Sequence, residues 1–208
     1  MAIDPWWALV PAAYLLGSVS FAYWAGRLHG IDLRRVGSGN LGATNAGRVL
    51  GGRWFAIVFA ADLLKGLLPT ALAQLAPLPW LPVAVGAAAV LGHVLTCFHG
   101  FKGGKAVATS LGVLLAIAPV AAALAGAAWL AVWLAVWRGL GLARSEAVGP
   151  ASIIAALVAP AGHLLDPGRT PITLGFIGAL ALLVVLRHVS NARRFLAALR
   201  APHSPPSS

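Results

Sequence analysis

The sequence predicts an all-α integral membrane protein with about seven transmembrane helices. Of its 208 residues, 60% are hydrophobic and only 10% are charged, whereas a soluble domain carries about 25% charged residues. Many of the apolar residues occur in runs of about 20, the length of a helix that crosses a bilayer core of about 30 Å. These two features favour lipid as the solvent of the chain.

Six apolar runs define the predicted spans. They occupy residues 6–25, 54–75, 81–98, 106–137, 151–165 and 172–186. The fourth run is too long for one helix, and Pro119 and Gly126 are candidate breaks, which gives seven spans. Residues 1–200 are predicted to form a single membrane-embedded domain. Residues 201–208, rich in proline and serine, are predicted to be a disordered tail.

The basic residues predict the orientation of these spans. Thirteen of the 15 Lys and Arg residues fall on one side of a seven-span arrangement, which the positive-inside rule assigns to the cytoplasm. The N-terminus is then outside and the C-terminus cytoplasmic, in the inner (plasma) membrane. A net charge of +10 can indicate nucleic-acid binding, but this topology accounts for it, so no nucleic-acid partner is predicted. Lys65 lies within a span, three residues after Asp62, and the two can form an ion pair.

A polar, glycine-rich segment occupies residues 36–48. Glycines adopt positive φ and let a ligand approach the backbone, and successive N–H groups can form an anion-binding nest. Short hydrogen-bonding side chains and one arginine, which can bind phosphate with two N–H groups, accompany them: Ser38, Asn40, Thr44, Asn45 and Arg48. The segment predicts phosphate binding, and a flexible connection is the alternative.

A second polar segment precedes the long fourth run. Lys102 and Lys105 flank two glycines immediately before an apolar helix, where free N–H donors and the helix dipole favour an anion. The spacing differs from that of a Walker A loop, which disfavours a nucleotide triphosphatase. His93 and His99 are six residues apart and lack a neighbouring carboxylate or second thiolate, so no metal site is predicted.

A third polar segment, residues 187–194, follows the last span. His188 and Asn191 are three residues apart and share a helical face, whereas Arg193 and Arg194 can also be explained as contacts with anionic lipid headgroups. The glycine-rich segments contain no carboxylate to bind Mg²⁺, and no nucleophile elbow is present. These residues predict a basic pocket without metal or cofactor, suited to a substrate that is already activated and phosphorylated.

Three of these motifs occur in an order that resembles the bacterial acyl-phosphate:glycerol-3-phosphate acyltransferase family. They are residues 36–45, residues 101–105 with 107–109, and residues 187–191, and the resemblance extends from about Leu15 to Leu196. It implies a seven-span enzyme that transfers an acyl group from acyl phosphate to the 1-hydroxyl of glycerol 3-phosphate. The products are lysophosphatidic acid and inorganic phosphate, in the first step of phospholipid biosynthesis. The enzyme that forms the acyl phosphate is a candidate partner.

The resemblance also assigns roles to individual residues. Catalytic roles fall on Ser38, Arg48, Lys105, His188 and Asn191. Substrate-binding roles fall on Gly39, Asn40, Thr44, Asn45, Lys102, Gly103, Gly104 and Ser152. The base that accepts the hydroxyl proton is His188 or a phosphate oxygen of the substrate.

The sequence departs from the family pattern at several positions. Thr96 stands where the family usually has proline, and Ala106 where it has glycine. Residues 149–152 read Gly-Pro-Ala-Ser where the family has a Ser-Leu-Ala-Ser type sequence, which is expected to affect affinity more than chemistry.

Two other functions predict features that this sequence lacks or residue losses that it does not show. A transporter of a phosphorylated solute would have polar residues near the bilayer midplane and internal repeats, and beyond Asp62 and Lys65 the sequence has neither. A catalytically inactive relative would have lost residues of the type of His188 or Lys102, and both are present.

Overall fold

The chain folds as a bundle of helices. The computed structural model describes residues 4–200, and every regular element in this range is helical, which confirms the predicted all-α class. The α-helices are α1 (Leu9–Ser18), α2 (Phe21–Leu28), α3 (Ala43–Leu50), α4 (Gly52–Ala73), α5 (Leu81–Val94), α6 (Val107–Ile117), α7 (Pro119–Leu134), α8 (Arg144–His163) and α9 (Pro171–Arg200). Short 3₁₀ turns cover Pro5–Ala8 and Cys97–His99, and a π turn covers Ala135–Gly139. The tail predicted at residues 201–208 lies outside the described range.

Six helical segments of the described chain are long and apolar enough to cross a membrane. They are Pro5–Leu28, Gly52–Ala73, Leu81–His99, Pro119–Gly139, Arg144–His163 and Pro171–Ala197. A seventh apolar helix, α6, has only 11 residues. At 1.5 Å per residue it is about 16 Å long, roughly half of a bilayer core. The described residues therefore contain seven apolar helical segments, of which α6 is too short to cross a bilayer core.

The long fourth run is divided at Ala118, between α6 and α7. Pro119 is the first residue of α7, a position where its missing N–H costs nothing. The next two N–H groups, of Val120 and Ala121, donate to the carboxylate of Asp166 at 2.9 and 3.2 Å. The break expected at Pro119 is confirmed. The break expected at Gly126 is wrong, because α7 continues through it.

The first span is interrupted between α1 and α2, where Val19 and Ser20 are extended. Carbonyl groups released by a break at membrane depth need other donors. The Thr96 hydroxyl donates to the carbonyl of Ser18 at 2.6 Å, and Lys65 Nζ donates to that of Val19 at 2.9 Å. Thr96, one of the departures from the family pattern, thus stabilises the interruption.

The predicted ion pair between Asp62 and Lys65 is confirmed, with 2.7 Å between Lys65 Nζ and Asp62 Oδ1. Both side chains are buried within the bundle. Close helix packing surrounds them, because Gly92 of α5 lies against the backbone of Tyr14 and Gly112 of α6 lies against that of Leu63. Small residues at such contacts let membrane helices approach closely. This packing fixes α5 and α6, whose ends carry the second polar segment, against α1 and α4.

Candidate active site

The three polar segments converge on one cavity of about 720 Å³. All five residues predicted to be catalytic line it: Ser38, Arg48, Lys105, His188 and Asn191. Three of the residues predicted to bind substrate, Asn40, Thr44 and Ser152, also line it. The fold therefore brings together side chains that are up to 153 residues apart in the sequence, between Ser38 and Asn191.

The first segment forms a tight loop that is shaped by Asn45. Gly37 and Gly39 have positive φ angles of 63° and 70°, which favour glycine. The buried Asn45 amide accepts a hydrogen bond from Ser38 N at 2.7 Å and donates to the carbonyls of Leu33 (3.0 Å) and Val36 (3.1 Å). Its hydrogen-bonding groups are thus engaged by the loop backbone, and it lies outside the lining of the cavity.

The second segment is held by hydrogen bonds on both sides. The N–H groups of Gly103 and Gly104 donate to the carbonyls of Val94 and His93, each at 3.0 Å. Arg187 donates to the carbonyls of the same two glycines, at 3.1 and 2.9 Å. The N–H and carbonyl groups of both glycines are therefore engaged within the protein. Their hydrogen bonds fix the loop that carries Lys105.

The amino end of α6 borders the cavity through Ala106, Val107 and Ala108. The first-turn N–H groups of a helix have no partner within the helix, and the dipole favours an anion there. Ala106 precedes the helix with a φ of 62°, a left-handed conformation that is unfavourable for residues with a side chain. The glycine that the family usually has at this position would adopt it without strain.

Lys105 is one of the cations that line the cavity, and its ammonium group donates to Asn191 Oδ1. Burial, together with the positive charges of Arg194, Arg187 and Arg48, lowers the pKa of Lys105 to about 8. Within residues 4–200, none of these four cationic side chains forms an ion pair with a carboxylate. An anionic ligand would supply the missing negative charge.

His188 is 1% exposed and presents one nitrogen as an acceptor. Its Nδ1 lies 2.8 Å from the carbonyl oxygen of Val184. A carbonyl only accepts, so in the neutral ring Nδ1 carries the hydrogen and Nε2 is unprotonated. Since His188 lines the cavity, Nε2 is the nitrogen available to a ligand.

The cavity continues as an apolar slot between α6, α7, α8 and α9. Along α9 its lining extends from Ile177 to Phe195, a distance of about 27 Å at 1.5 Å per residue. Ser152 is buried in the wall of the slot and accepts a hydrogen bond from Trp129 Nε1 at 3.2 Å. The other apolar lining residues include Leu111, Leu114, Ala155, Ala156, Ala159, Leu180 and Ala181. One cavity thus combines a cationic region with an apolar one.

A basic cleft of about 850 Å³ adjoins this cavity and shares Ser38, Asn40, Lys105 and Arg194 with it. Its other polar and glycine lining residues are Arg34, Gly39, His99, Lys102, Gly103, Arg187, Ser190 and Arg193. Gly39, Lys102 and Gly103, predicted to bind substrate, therefore line the cleft and not the inner cavity. Asn45 and Gly104 line neither.

Sequence reasoning missed several polar residues of the cavity. Asp62 and His93 line it, with 3.6 Å between His93 Nδ1 and Asp62 Oδ1. Arg194 also lines it, although its position after the last span suggested contact with lipid headgroups. His93 interrupts an apolar run, and a polar residue in a predicted span is a signal of function. No group of three His, Cys, Asp or Glu side chains suited to a metal ion occurs in the part of the chain that the structure describes.

Comparisons with known proteins agree on one family. The family model described as Glycerol-3-phosphate acyltransferase matches residues 7–198. A glycerol-3-phosphate acyltransferase of Streptococcus equi subsp. zooepidemicus (strain MGCS10565) is 41% identical over 188 residues, covering 89% of this chain and 86% of the relative. That of Geobacter sulfurreducens is 38% identical over 188 residues, covering 89% and 91%.

Solved structures of an integral membrane glycerol 3-phosphate acyltransferase, PlsY (YgiH), have the same fold. Its glycerol 3-phosphate form superposes with a TM-score of 0.83 at 38% identity, covering 94% of both chains. Its lysophosphatidic acid form gives a TM-score of 0.78 at 36% identity, covering 94% of this chain and 93% of the other.

Proposed function

The chain belongs to the glycerol-3-phosphate acyltransferase family, and from this we propose that it acylates the 1-hydroxyl of glycerol 3-phosphate with an acyl phosphate as donor. The products are lysophosphatidic acid and inorganic phosphate. The observation that carries the proposal is the joining of a cationic region and an apolar slot in one cavity. An acyl phosphate has both a hydrocarbon chain and a phosphate group, so it matches both regions at once.

The cationic region has enough positive charge for two phosphate groups. Arg48, Lys105 and Arg194 line the inner cavity, and Lys102 and Arg187 line the adjoining cleft. Charge-assisted hydrogen bonds from such groups are the strong ones. In our proposal Ser38, Arg48 and Lys105 bind substrate phosphate, and Asn191 orients the Lys105 ammonium group through their hydrogen bond.

The remaining predicted residues divide into contact and shaping roles. Asn40 and Thr44 contact substrate in the inner cavity, and Gly39, Lys102 and Gly103 line the path through the basic cleft. The acyl chain occupies the apolar slot past Ser152. Asn45 and Gly104 shape the two loops, since they line neither space and their polar groups bond within the protein.

The reaction requires only nucleophilic attack, loss of phosphate and removal of one proton. The hydroxyl oxygen of glycerol 3-phosphate bonds to the carbonyl carbon of the donor, and the bond from that carbon to the phosphate oxygen breaks. The bonding electrons leave with phosphate. The hydroxyl proton goes to His188 Nε2 or to a phosphate oxygen of the substrate, and the hydrogen bond from His188 Nδ1 to Val184 supports the histidine.

We place the reaction at the cytoplasmic face of the inner (plasma) membrane, with the N-terminus outside and the C-terminus inside. Six of the 15 Lys and Arg residues of the chain line the basic cleft: Arg34, Lys102, Lys105, Arg187, Arg193 and Arg194. Positive charge flanking spans is retained in the cytoplasm. Glycerol 3-phosphate, a water-soluble anion, would enter from that side.

The experiment is phosphate release from palmitoyl phosphate by the purified protein, with and without glycerol 3-phosphate. We expect release that depends on glycerol 3-phosphate, with one lysophosphatidic acid formed per phosphate. Release without glycerol 3-phosphate would indicate a hydrolase. Acylation from a thioester donor but not from palmitoyl phosphate would refute the proposed donor.

A further inference from the structure

Three buried side chains next to the site, Asp62, Lys65 and His93, have no role in the reaction described above. They are 3%, 2% and 6% exposed. Lys65 Nζ is 2.7 Å from Asp62 Oδ1, and the same carboxylate oxygen is 3.6 Å from His93 Nδ1. We propose that these three residues form a positioning network that sets the location of the Lys105 ammonium group. The proposal rests on the proposed function of Lys105 in phosphate binding.

The network begins at the interruption of the first span. Lys65 donates to the carbonyl of Val19, which anchors the ammonium group to the extended segment between α1 and α2. This contact and the ion pair hold Asp62 in one place on α4. A buried ionic group without such partners is costly in free energy. Lys65 and Asp62 therefore keep the one arrangement in which the ammonium group contacts both the Asp62 carboxylate and the Val19 carbonyl.

His93 transmits this arrangement to the loop of the second polar segment. Its ring faces Asp62 through Nδ1, and its Nε2 lies so close to Gly104 that a side chain on Gly104 would collide with it. The backbone carbonyl of His93 also accepts from Gly104 N at 3.0 Å. Both the backbone and the ring of His93 thus contact the loop.

Arg187 holds the opposite side of the same loop, through the carbonyls of Gly103 and Gly104. Lys105 follows directly in the sequence, and its ammonium group points to Asn191. The position of Lys105 therefore depends on two supports, α9 on one side and His93 on the other. The His93 side connects the loop, through Asp62 and Lys65, to α4 and the first span.

The test uses chemical labelling of Lys105, which does not require turnover. Pyridoxal 5′-phosphate combines an aldehyde that reacts with a lysine amine and a phosphate that requires the anion site. Borohydride then fixes the adduct, and mass spectrometry locates it. We expect the wild-type protein to be labelled at Lys105, with protection by inorganic phosphate.

In Asp62→Asn the rate of Lys105 labelling and kcat/KM for glycerol 3-phosphate should both fall, by about 10²-fold for a displacement of about 1 Å. Most of the change should appear in KM, because Lys105 binds phosphate. Since Asp62→Asn leaves Lys65 buried and unpaired, the double variant Asp62→Asn/Lys65→Met removes both charges together. We expect the same loss of labelling in this variant.

The matched control is Asp166→Asn, which disrupts another buried pair, with His163 Nδ1 3.1 Å from Asp166 Oδ2. Neither residue lines the cavity or the cleft. This variant should lower the Tm but leave Lys105 labelling and KM unchanged.

Wild-type labelling of Lys105 in folded Asp62→Asn and in the double variant would overturn the inference and leave the network a stability role alone. Labelling that depends on Asp62 in a protein without acyl transfer would support the inference and refute the proposed function.

Discussion

Raising the pH tests whether the positive charge of Lys105 is needed for catalysis. The pKa of Lys105 is lowered to about 8 by burial and by three nearby arginines. The cationic form, which binds phosphate, is therefore lost as the pH rises through this value. About 90% of the side chain is protonated at pH 7 and about 10% at pH 9. We expect kcat/KM for glycerol 3-phosphate to fall roughly tenfold over this interval, since kcat/KM reports the free enzyme.

The assay is initial-rate phosphate release across this pH range, with enzyme-free blanks to correct for hydrolysis of acyl phosphate. Lys105→Arg retains the charge at all these pH values, so the decline should disappear even if its absolute rate is lower. Lys102→Arg, in the outer cleft, should keep the wild-type decline. A level wild-type profile from pH 7 to 9, or an unchanged decline in Lys105→Arg, would refute the assigned role of the Lys105 charge.

Substitutions at four further positions test other parts of the site. His188→Gln should lower kcat by about 10²-fold or more if Nε2 is the base. A nearly unchanged rate constant for acyl transfer in single-turnover experiments would favour a substrate phosphate oxygen as the base instead. Ala181→Phe, within the apolar slot, should raise KM for a long-chain acyl phosphate more than for a short-chain one; equal effects would place the chain elsewhere. Asn45→Ala removes three hydrogen bonds of the first loop and should lower the free energy of unfolding by about 1–3 kcal/mol, measured as a fall in Tm. Ala106→Val should lower both Tm and activity because a β-branched residue is strained at positive φ, whereas Ala106→Gly should retain activity; equal behaviour of the two would contradict a strained backbone.

Helical spacing and side-chain chemistry were enough to predict several residues of the cavity and one helix boundary from the sequence. His188 and Asn191 are three residues apart and do share a face of α9, and both line the cavity. The division of the fourth apolar run followed from Pro119, which has no N–H to donate. Lys105 and Arg48 could be expected near a phosphate because of their charge. These inferences depend on local geometry, which the sequence contains.

Other features depend on which backbone groups meet, and spacing gives no information about that. Asn45 is as suitable for binding a ligand as for shaping a loop, and only its contacts with Leu33 and Val36 distinguish the two. The sequence also contains no sign of where the N–H groups of Gly103 and Gly104 donate, and the structure shows that the chain folds back onto His93 and Val94 to accept them. That contact follows from the packing of α4, α5 and α6, which no single segment determines.

The two hydrogen bonds between Asp166 and the start of α7 have a consequence for how the protein inserts into the membrane during translation. The N–H groups of Val120 and Ala121 receive their acceptor from a residue that is made about 45 positions later. At about 5–20 residues per second, this delay is about 2–9 s. When the α6–α7 hairpin leaves the ribosome, its cap has therefore not yet emerged. We expect this hairpin to stay close to the insertion machinery until α8 and the following loop emerge, and site-specific crosslinking of stalled chains would measure how long that contact lasts.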